Sequence, residues 1–305
     1  VTDCPHEDFA PFIWTPPELA SYGMDPRFFP PLVLPGTYIG KLKKSAVDRY
    51  GLQEGIPVYA GGSDFLMSLA GTAAIQPGVT CDRAGSSEGL NFCTARRLES
   101  GGLRILPHLV EGYWNIAGIL PSTGLLFEWF RSLTGMNRLG YHETLEAIGK
   151  LPIQGDLPFF RSVQGKSATE FDTASFSGLH LEHDSIHLAR AVVESIGFAV
   201  LGRLEAMKAA GCAIGAITLC GGQAKNRPWI QMKADITGHE LLVPHVKDAE
   251  LLGDAMMGMQ GLQVFGNLEE AVAGMFRVEE RISPAPGAHA QWMGRYQDFL
   301  GKSAG

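Results

Sequence analysis

An apolar run, Ala216-Ile217-Thr218-Leu219-Cys220, stops at the paired glycines Gly221 and Gly222, and a helix is expected to follow from about Arg227 to Thr237. Strand, glycine turn and helix start together make a geometry suited to an anion. Glycine lets the backbone come close, the first N–H groups of a helix lack internal partners, and the helix dipole favours negative charge. Most glycine turns after strands only connect elements. This one gains weight from two further glycine turns upstream, Ala60-Gly61-Gly62-Ser63-Asp64 and Arg83-Ala84-Gly85-Ser86-Ser87-Glu88-Gly89. The chain holds 38 glycines in 305 residues, well above the usual ~7%. With no Gly-X-Y period and no Gly/Ser tract, the excess points to tight turns and close backbone approaches.

A chain of 305 residues is long enough for a substantial core and favours two domains over one. Hydrophobic residues at 45% and charged residues at 19% match ordinary globular proteins. A net charge of −7 argues against a nucleic-acid-binding surface. Five cysteines (Cys4, Cys81, Cys93, Cys212, Cys220), odd in number and without a CxxC pair, suit reduced thiols in a cytoplasmic protein. The N-terminus lacks the pattern of a signal peptide, and no segment is expected to reach the length of a membrane span.

The first forty residues are rich in proline and leave room for one short helix near Pro17 to Tyr22. Strands are expected at Gly36–Leu42 and Ile56–Ala60, with helices at Ser45–Tyr50 and Phe65–Ala74. From Val79 the pattern is β: Val79–Arg83, Glu88–Thr94, Arg104–Val110 and Tyr113–Ile119. Leu125, Leu126, Trp129, Phe130 and Leu133 then fall at helical spacing, and a further helix covers His142–Lys150. Pro152–Phe176 reads as irregular and polar. A long amphipathic helix follows at Asp184–Ala210, then the opening strand and helix, a strand at Glu240–Val243, and helices at Ala249–Phe265 and Ala288–Leu300. Hairpins mixed with strand-helix units imply a mixed sheet with helices on its faces.

ATP-dependent phosphoryl transfer needs backbone donors and hydroxyls around the phosphates, Mg²⁺, and a carboxylate to take the acceptor's proton. The turns at Gly85-Ser86-Ser87 and Gly221-Gly222 offer the donors, and Asp64 offers the carboxylate. Taken in order, Gly61-Gly62-Ser63-Asp64, Gly85-Ser86-Ser87, Ser122-Thr123-Gly124 with Trp129, and Gly221-Gly222-Gln223-Ala224-Lys225-Asn226 resemble the FGGY family of carbohydrate kinases. Gln231, Ala234-Asp235 and Gly238, the helix Leu188–Ser195 and the run Glu250–Ala255 agree with it. The resemblance runs along nearly the whole chain.

It implies an α/β, actin/hexokinase-like fold built on RNase H-like domains. Residues 1–77 would end an N-terminal sugar-binding domain, and 78–305 would form the C-terminal nucleotide-binding domain. Asp64 would be the general base, with Phe65 beside it at the sugar. The plainer reading of Asp64 is a helix N-cap, but Ser63 could supply that cap and leave Asp64 to act as the base. Gly85, Ser86, Ser87, Gly124, Gly221, Gly222, Gln223 and Asn226 would hold the nucleotide, with ATP and Mg²⁺ as partners of the reaction. Each also has a plainer reading: Ser86 as a hairpin turn, Gly124 as a first-turn glycine, Asn226 as an N-cap, Trp129 as core. Family analogy allows a homodimer.

The family's Asp-x-Gly-Thr turn is absent, and the Pro158–Gly178 segment departs from the family's pattern. The expectation is therefore roughly the second half of such a kinase, with weak nucleotide binding and negligible turnover by itself. The sugar would be a pentulose such as xylulose, from the Gly-Gly-x-Asp pattern. A non-catalytic sugar- or nucleotide-sensing protein on the same fold is the alternative. Two other patterns are set aside: His183 and His187 at i, i+4 as a metal pair, and Gly85-x-Ser87-x-Gly89 as a hydrolase elbow, which lies between strands instead of before a helix.

Overall fold

The computed structural model describes residues 21–301 apart from 32, 99–101, 154 and 165–170. The helix expected near Pro17 to Tyr22 falls outside the described residues except at its last two positions, and Cys4 falls outside as well. The chain runs β1 (Tyr38–Lys41), α1 (Lys44–Tyr50), β2 (Pro57–Tyr59) and α2 (Asp64–Gly71). Four strands follow: β3 (Thr80–Ala84), β4 (Glu88–Thr94), β5 (Arg104–Pro107) and β6 (Trp114–Leu120). Next come α3 (Gly124–Leu133), α4 (Tyr141–Gly149), β7 (Phe159–Gln164), β8 (Phe171–Ser177) and α5 (Ser185–Ala209). The remainder is β9 (Ile217–Cys220), α6 (Arg227–Thr237), β10 (Leu241–Pro244), α7 (Ala249–Gly261), α8 (Leu268–Met275), β11 (Val278–Ile282) and α9 (Ala288–Gly301).

These elements form two compact units. The smaller takes the chain up to Gly71 together with Glu250–Met275; the larger takes Thr72–Ala249 and the chain from Phe276 onward. In the smaller unit β1 and β2 pair antiparallel, and α2 buries Met67, Leu69 and Ala70. Helix α7 approaches α2 so closely that a Cβ on Gly253 would overlap the Met67 carbonyl oxygen. Glycine is needed there because backbone meets backbone.

The larger unit is organised by a seven-stranded sheet in the order β11-β10-β9-β3-β4-β6-β5. Strands β3, β4 and β6 form an antiparallel meander. β9 is added parallel to β3, and β10 parallel to β9. Helices α5 and α6 pack one face, where Val200, Leu204, Met207, Ile230 and Ala234 meet Leu90, Ile116, Ile217, Leu219 and Leu241. The far side of these helices joins α3, α4 and α9 in a second apolar cluster containing Phe130, Ile148, Val192, Phe198, Trp229 and Trp292.

Helix α5 begins at Asp184, whose carboxylate accepts from the N–H groups of Ile186 (2.9 Å) and His187 (3.2 Å). Contrary to the expectation from sequence, this helix is by length and composition long and apolar enough to cross a membrane. Most of its apolar stretch is buried inside the protein, and Arg190 and Glu194 are buried on it as an ion pair. It is the core helix of the larger unit.

A second correction concerns Pro152–Phe176. Instead of an irregular loop, β7 and β8 pair as an antiparallel hairpin with Phe159 opposite Ser177 and Phe160 opposite Phe176. The phenylalanines supply the reason: Phe159 and Phe160 are both buried, and the Phe160 and Phe176 rings lie 5.0 Å apart.

Candidate functional site

Parallel strands place their carboxyl ends, and the turns that follow them, along one edge of a sheet, where ligands of open α/β sheets bind. The parallel pair here is β3 and β9, with Arg83 opposite Cys220. The turn after β3 is Gly85-Ser86-Ser87, closed by the Gly85 N–H donating to the Ser87 carbonyl at 2.9 Å. The turn after β9 is Gly221-Gly222. Gly221 has φ +85°, and a Cβ there would stand 2.7 Å from the Ala84 carbonyl oxygen. Its N–H donates to the Lys247 carbonyl in the loop after β10 (3.1 Å).

The start of α3 joins the same place. The N–H groups of Thr123 and Leu125 both donate to the Ser86 carbonyl at 3.1 Å, and a Cβ on Gly124 would overlap the Gly85 carbonyl. The larger unit therefore brings together Gly85, Ser86, Ser87, Gly124, Gly221, Gly222, Gln223 and Asn226. Ser86, Ser87 and Gly222 are exposed there, and open space lies over Gly222. Two helices, α3 and α6, begin at these turns, so their partial positive ends add to the backbone donors. The thin turns, the exposed hydroxyls and the helix starts fit an anionic ligand such as a polyphosphate.

Gln223 occupies a more specific position than a ligand contact. Its amide nitrogen lies 3.4 Å from the Gly85 carbonyl, 3.3 Å from Glu88 Oε2 and 3.3 Å from Thr123 Oγ1. Its carbonyl oxygen accepts from Trp229 Nε1 (2.5 Å) and Lys233 Nζ (3.2 Å). The polar groups of Gln223 thus tie three turns to α6. Asn226 stands at the N-cap position of α6 without a side-chain capping bond, and its amide instead reaches the Gly222 carbonyl at 3.5 Å. Trp229 and Phe130 are core, and Trp129 packs against the same core half-buried.

Sequence reading did not single out Asp82, Glu88 and Lys233, which lie beneath these turns. Lys233 Nζ donates to Asp82 Oδ2 at 2.8 Å and to Glu88 Oε1 at 2.5 Å, all three side chains being about 1% exposed or less. Burial works against the Lys233 ammonium, but the charges of Asp82 and Glu88 outweigh it and raise its pKa. Asp82 is pushed well above the carboxylate range by burial and by the charge of Glu88, which one lysine does not fully offset. One signal was available: Lys233 sits four residues after Trp229 and three after Ile230, on the face of α6 that faces the core.

Asp64 belongs to the smaller unit. It is exposed in the first turn of α2, and Ser63 Oγ lies 3.4 Å from the Leu66 N–H in the capping position. The Asp64 carboxylate accepts from the N–H of its neighbour Phe65 at 2.6 Å. The histidines set aside as a metal pair are engaged locally: His183 Nδ1 accepts from the His180 N–H at 3.0 Å, and His187 Nδ1 lies 2.7 Å from Asp184 Oδ1. Among the described residues no three His, Cys, Asp or Glu side chains group as metal ligands.

Comparison with known proteins fits this arrangement. Residues 85–262, more than half of the chain, match the FGGY family of carbohydrate kinases, C-terminal domain. The xylulose kinase of Staphylococcus epidermidis is 27% identical over 263 residues, covering 84% of this chain and 53% of that protein. The autoinducer-2 kinase of Enterobacter sp. is 25% identical over 319 residues, covering 94% of this chain and 59% of that one. The crystal structure of xylulose kinase from Rhodospirillum rubrum superposes with a TM-score of 0.75 at 22% identity, covering 95% of this chain and 60% of that chain. At that identity the likeness shows the fold, the actin/hexokinase-like one, to which the β10-β9-β3-β4-β6 core of the sheet conforms. The chain spans between half and two thirds of these relatives. It belongs to the FGGY family of carbohydrate kinases.

Proposed function

We propose that this chain takes part in ATP-dependent phosphorylation of a sugar or polyol hydroxyl. The observation that carries this reading is the meeting of three glycine-bearing turns at the carboxyl ends of β3 and β9, with Gly124 against Gly85 and Gly221 against Ala84. Backbone N–H groups and the Ser86 and Ser87 hydroxyls would hold the phosphates of ATP, and Gly222 would let the nucleotide approach the chain. Mg²⁺ commonly binds through phosphates with one or two carboxylates, so it would come with the nucleotide and neutralise charge on the transferred group. Asp64 would accept the proton of the attacking hydroxyl, with Phe65 beside it at the sugar. Its exposure in the first turn of α2, where Ser63 Oγ stands in the capping position, supports that role.

The relatives named as xylulose kinase and autoinducer-2 kinase make pentuloses and related linear ketoses the first substrates to test. A coupled assay of ADP release across pentoses, pentuloses and polyols is the direct experiment. Negligible turnover is expected from these 305 residues by themselves, and turnover with one pentulose from a form that also carries the N-terminal domain of such kinases. In that form Asp64→Asn should lower kcat by at least about a hundredfold while ADP affinity stays within about twofold. Tight sugar or nucleotide binding without turnover even there would instead favour a sensing role. Unchanged kcat in Asp64→Asn would remove the carboxylate from the reaction.

A further inference from the structure

Lys233 sits on a helix face otherwise built from Trp229, Ile230, Ala234 and Thr237, and it is about 1% exposed. A buried lysine is costly, and an apolar residue of similar size usually does as well for stability. Its ammonium does not reach solvent, so it offers no charge to a ligand over the turns. What it does reach is one group from each of three segments: Asp82 on β3, Glu88 at the end of the Ser86-Ser87 turn, and Gln223 in the turn after β9. Glu88 uses its two oxygens separately, Oε1 toward Lys233 and Oε2 toward Gln223. Gln223 in turn reaches Gly85 and Thr123. Every phosphate-facing segment of the larger unit is thereby linked through one buried ammonium and one amide.

We infer that Lys233, acting through Glu88 and Gln223, is a positioning residue that sets the spacing between the Ser86-Ser87 turn and the Gly221-Gly222 turn, and so determines how tightly the chain holds the phosphates of a nucleotide. The inference rests on the nucleotide reading of these turns. It differs from a general stabilising role in a measurable way. A group that only stabilises the unit affects all parts of a ligand alike, whereas one that spaces phosphate-holding turns affects the part of the affinity that depends on phosphate.

Glu88→Gln separates the two. It leaves Lys233 paired with Asp82, one charge to one, but places an amide NH₂ where Oε2 now accepts from Gln223, so the link to the second turn is lost. Lys233→Met removes the centre of the network. Binding of ADP and of adenosine to the 305-residue chain would be measured by calorimetry for the wild type and both variants, with melting temperature alongside. The expected result is a loss of about tenfold in ADP affinity for each variant, the scale on which removing a supporting contact acts, with adenosine affinity within about twofold. The double variant should be no weaker than the weaker single one, because the two residues act as one unit. Where Lys233→Met does not fold, Glu88→Gln alone decides. Wild-type ADP binding matched by Glu88→Gln, or ADP and adenosine affinities that fall together, would overturn the positioning role and leave the site standing. A wild-type chain that does not bind ADP would overturn the nucleotide reading and this inference with it.

Discussion

Asp82 carries the clearest consequence at the scale of a single residue. Two buried carboxylates face one buried ammonium, and the mismatch falls on Asp82, whose pKa is raised well above 3.8 by burial first and by the Glu88 charge second. A carboxyl with a higher pKa folded than unfolded binds more protons in the folded state. Its contribution to stability is therefore complete below about pH 4 and is lost as pH rises through the folded value. The Lys233 shift has the same sign at higher pH: its contribution is complete below about pH 10.5, is lost as pH rises through the folded value, and adds no slope near neutrality. Asparagine at 82 imitates the protonated acid, accepting from Lys233 through its oxygen and donating toward Glu88 through its nitrogen. Asp82→Asn should flatten the decline in stability as pH rises from about 4 toward neutrality and be at least as stable as the wild type at the upper end. Urea midpoints across that range would show it; parallel wild-type and variant curves would mean that Asp82 is ionised in the fold.

At the scale of elements, the docking of α3 on the Gly85-Ser86 turn leaves no room for a side chain. Alanine is ordinarily better than glycine in a helix by about 1 kcal/mol. Gly294, exposed in the middle of α9 with open space where a Cβ would go, should follow that rule, and Gly294→Ala should stabilise by up to about 1 kcal/mol. At Gly124 the sign reverses, because the added Cβ would meet the Gly85 carbonyl and backbone cannot swing aside as a side chain can. Gly124→Ala should cost about 1–3 kcal/mol and weaken ADP binding in calorimetry, and a stabilised Gly124→Ala would show that α3 is free of the turn. This site was legible in sequence because glycine turns, strand ends and helix starts are local features: β4 and α6 lie where periodicity and turn residues put them. The ionic group beneath was not, since Lys233 reaches Asp82 and Glu88, on the paired strands β3 and β4, only through the packing of α6. The β7–β8 hairpin escaped for a related reason. Its adjacent Phe159 and Phe160 are both buried, which erases the alternation by which a one-sided strand is recognised. Edge strand β11, Val-Glu-Glu-Arg-Ile, was hidden by the charges that protect such an edge.

For the molecule as a whole, the order of the chain and the order of the fold diverge. The smaller unit is completed by Glu250–Met275, which returns after the larger unit's sheet has been laid down almost entirely, and the chain then goes back to supply β11 and α9. No shift in composition marks either passage. What marks the return is a close approach: Gly253 on α7 against the Met67 backbone on α2, with Gly61 near Asp254 and Gly261 against the Tyr59 ring in the same unit. Three glycines thus hold two segments, nearly two hundred residues apart in sequence, at a distance larger side chains would not permit. Gly253→Leu should separate α7 from α2, at a cost of about 2 kcal/mol or more, since the obstruction is backbone. Because Gly253 and Met67 lie in one unit, the loss should be local. Hydrogen exchange read by mass spectrometry should rise at residues 57–71 and 250–261 while β3, β9 and α6 keep their protection, and ADP affinity should stay within about twofold of the wild type. Exchange that rises evenly along the whole chain would mean that the two units open together, and that the division between them is one of contact and not of stability.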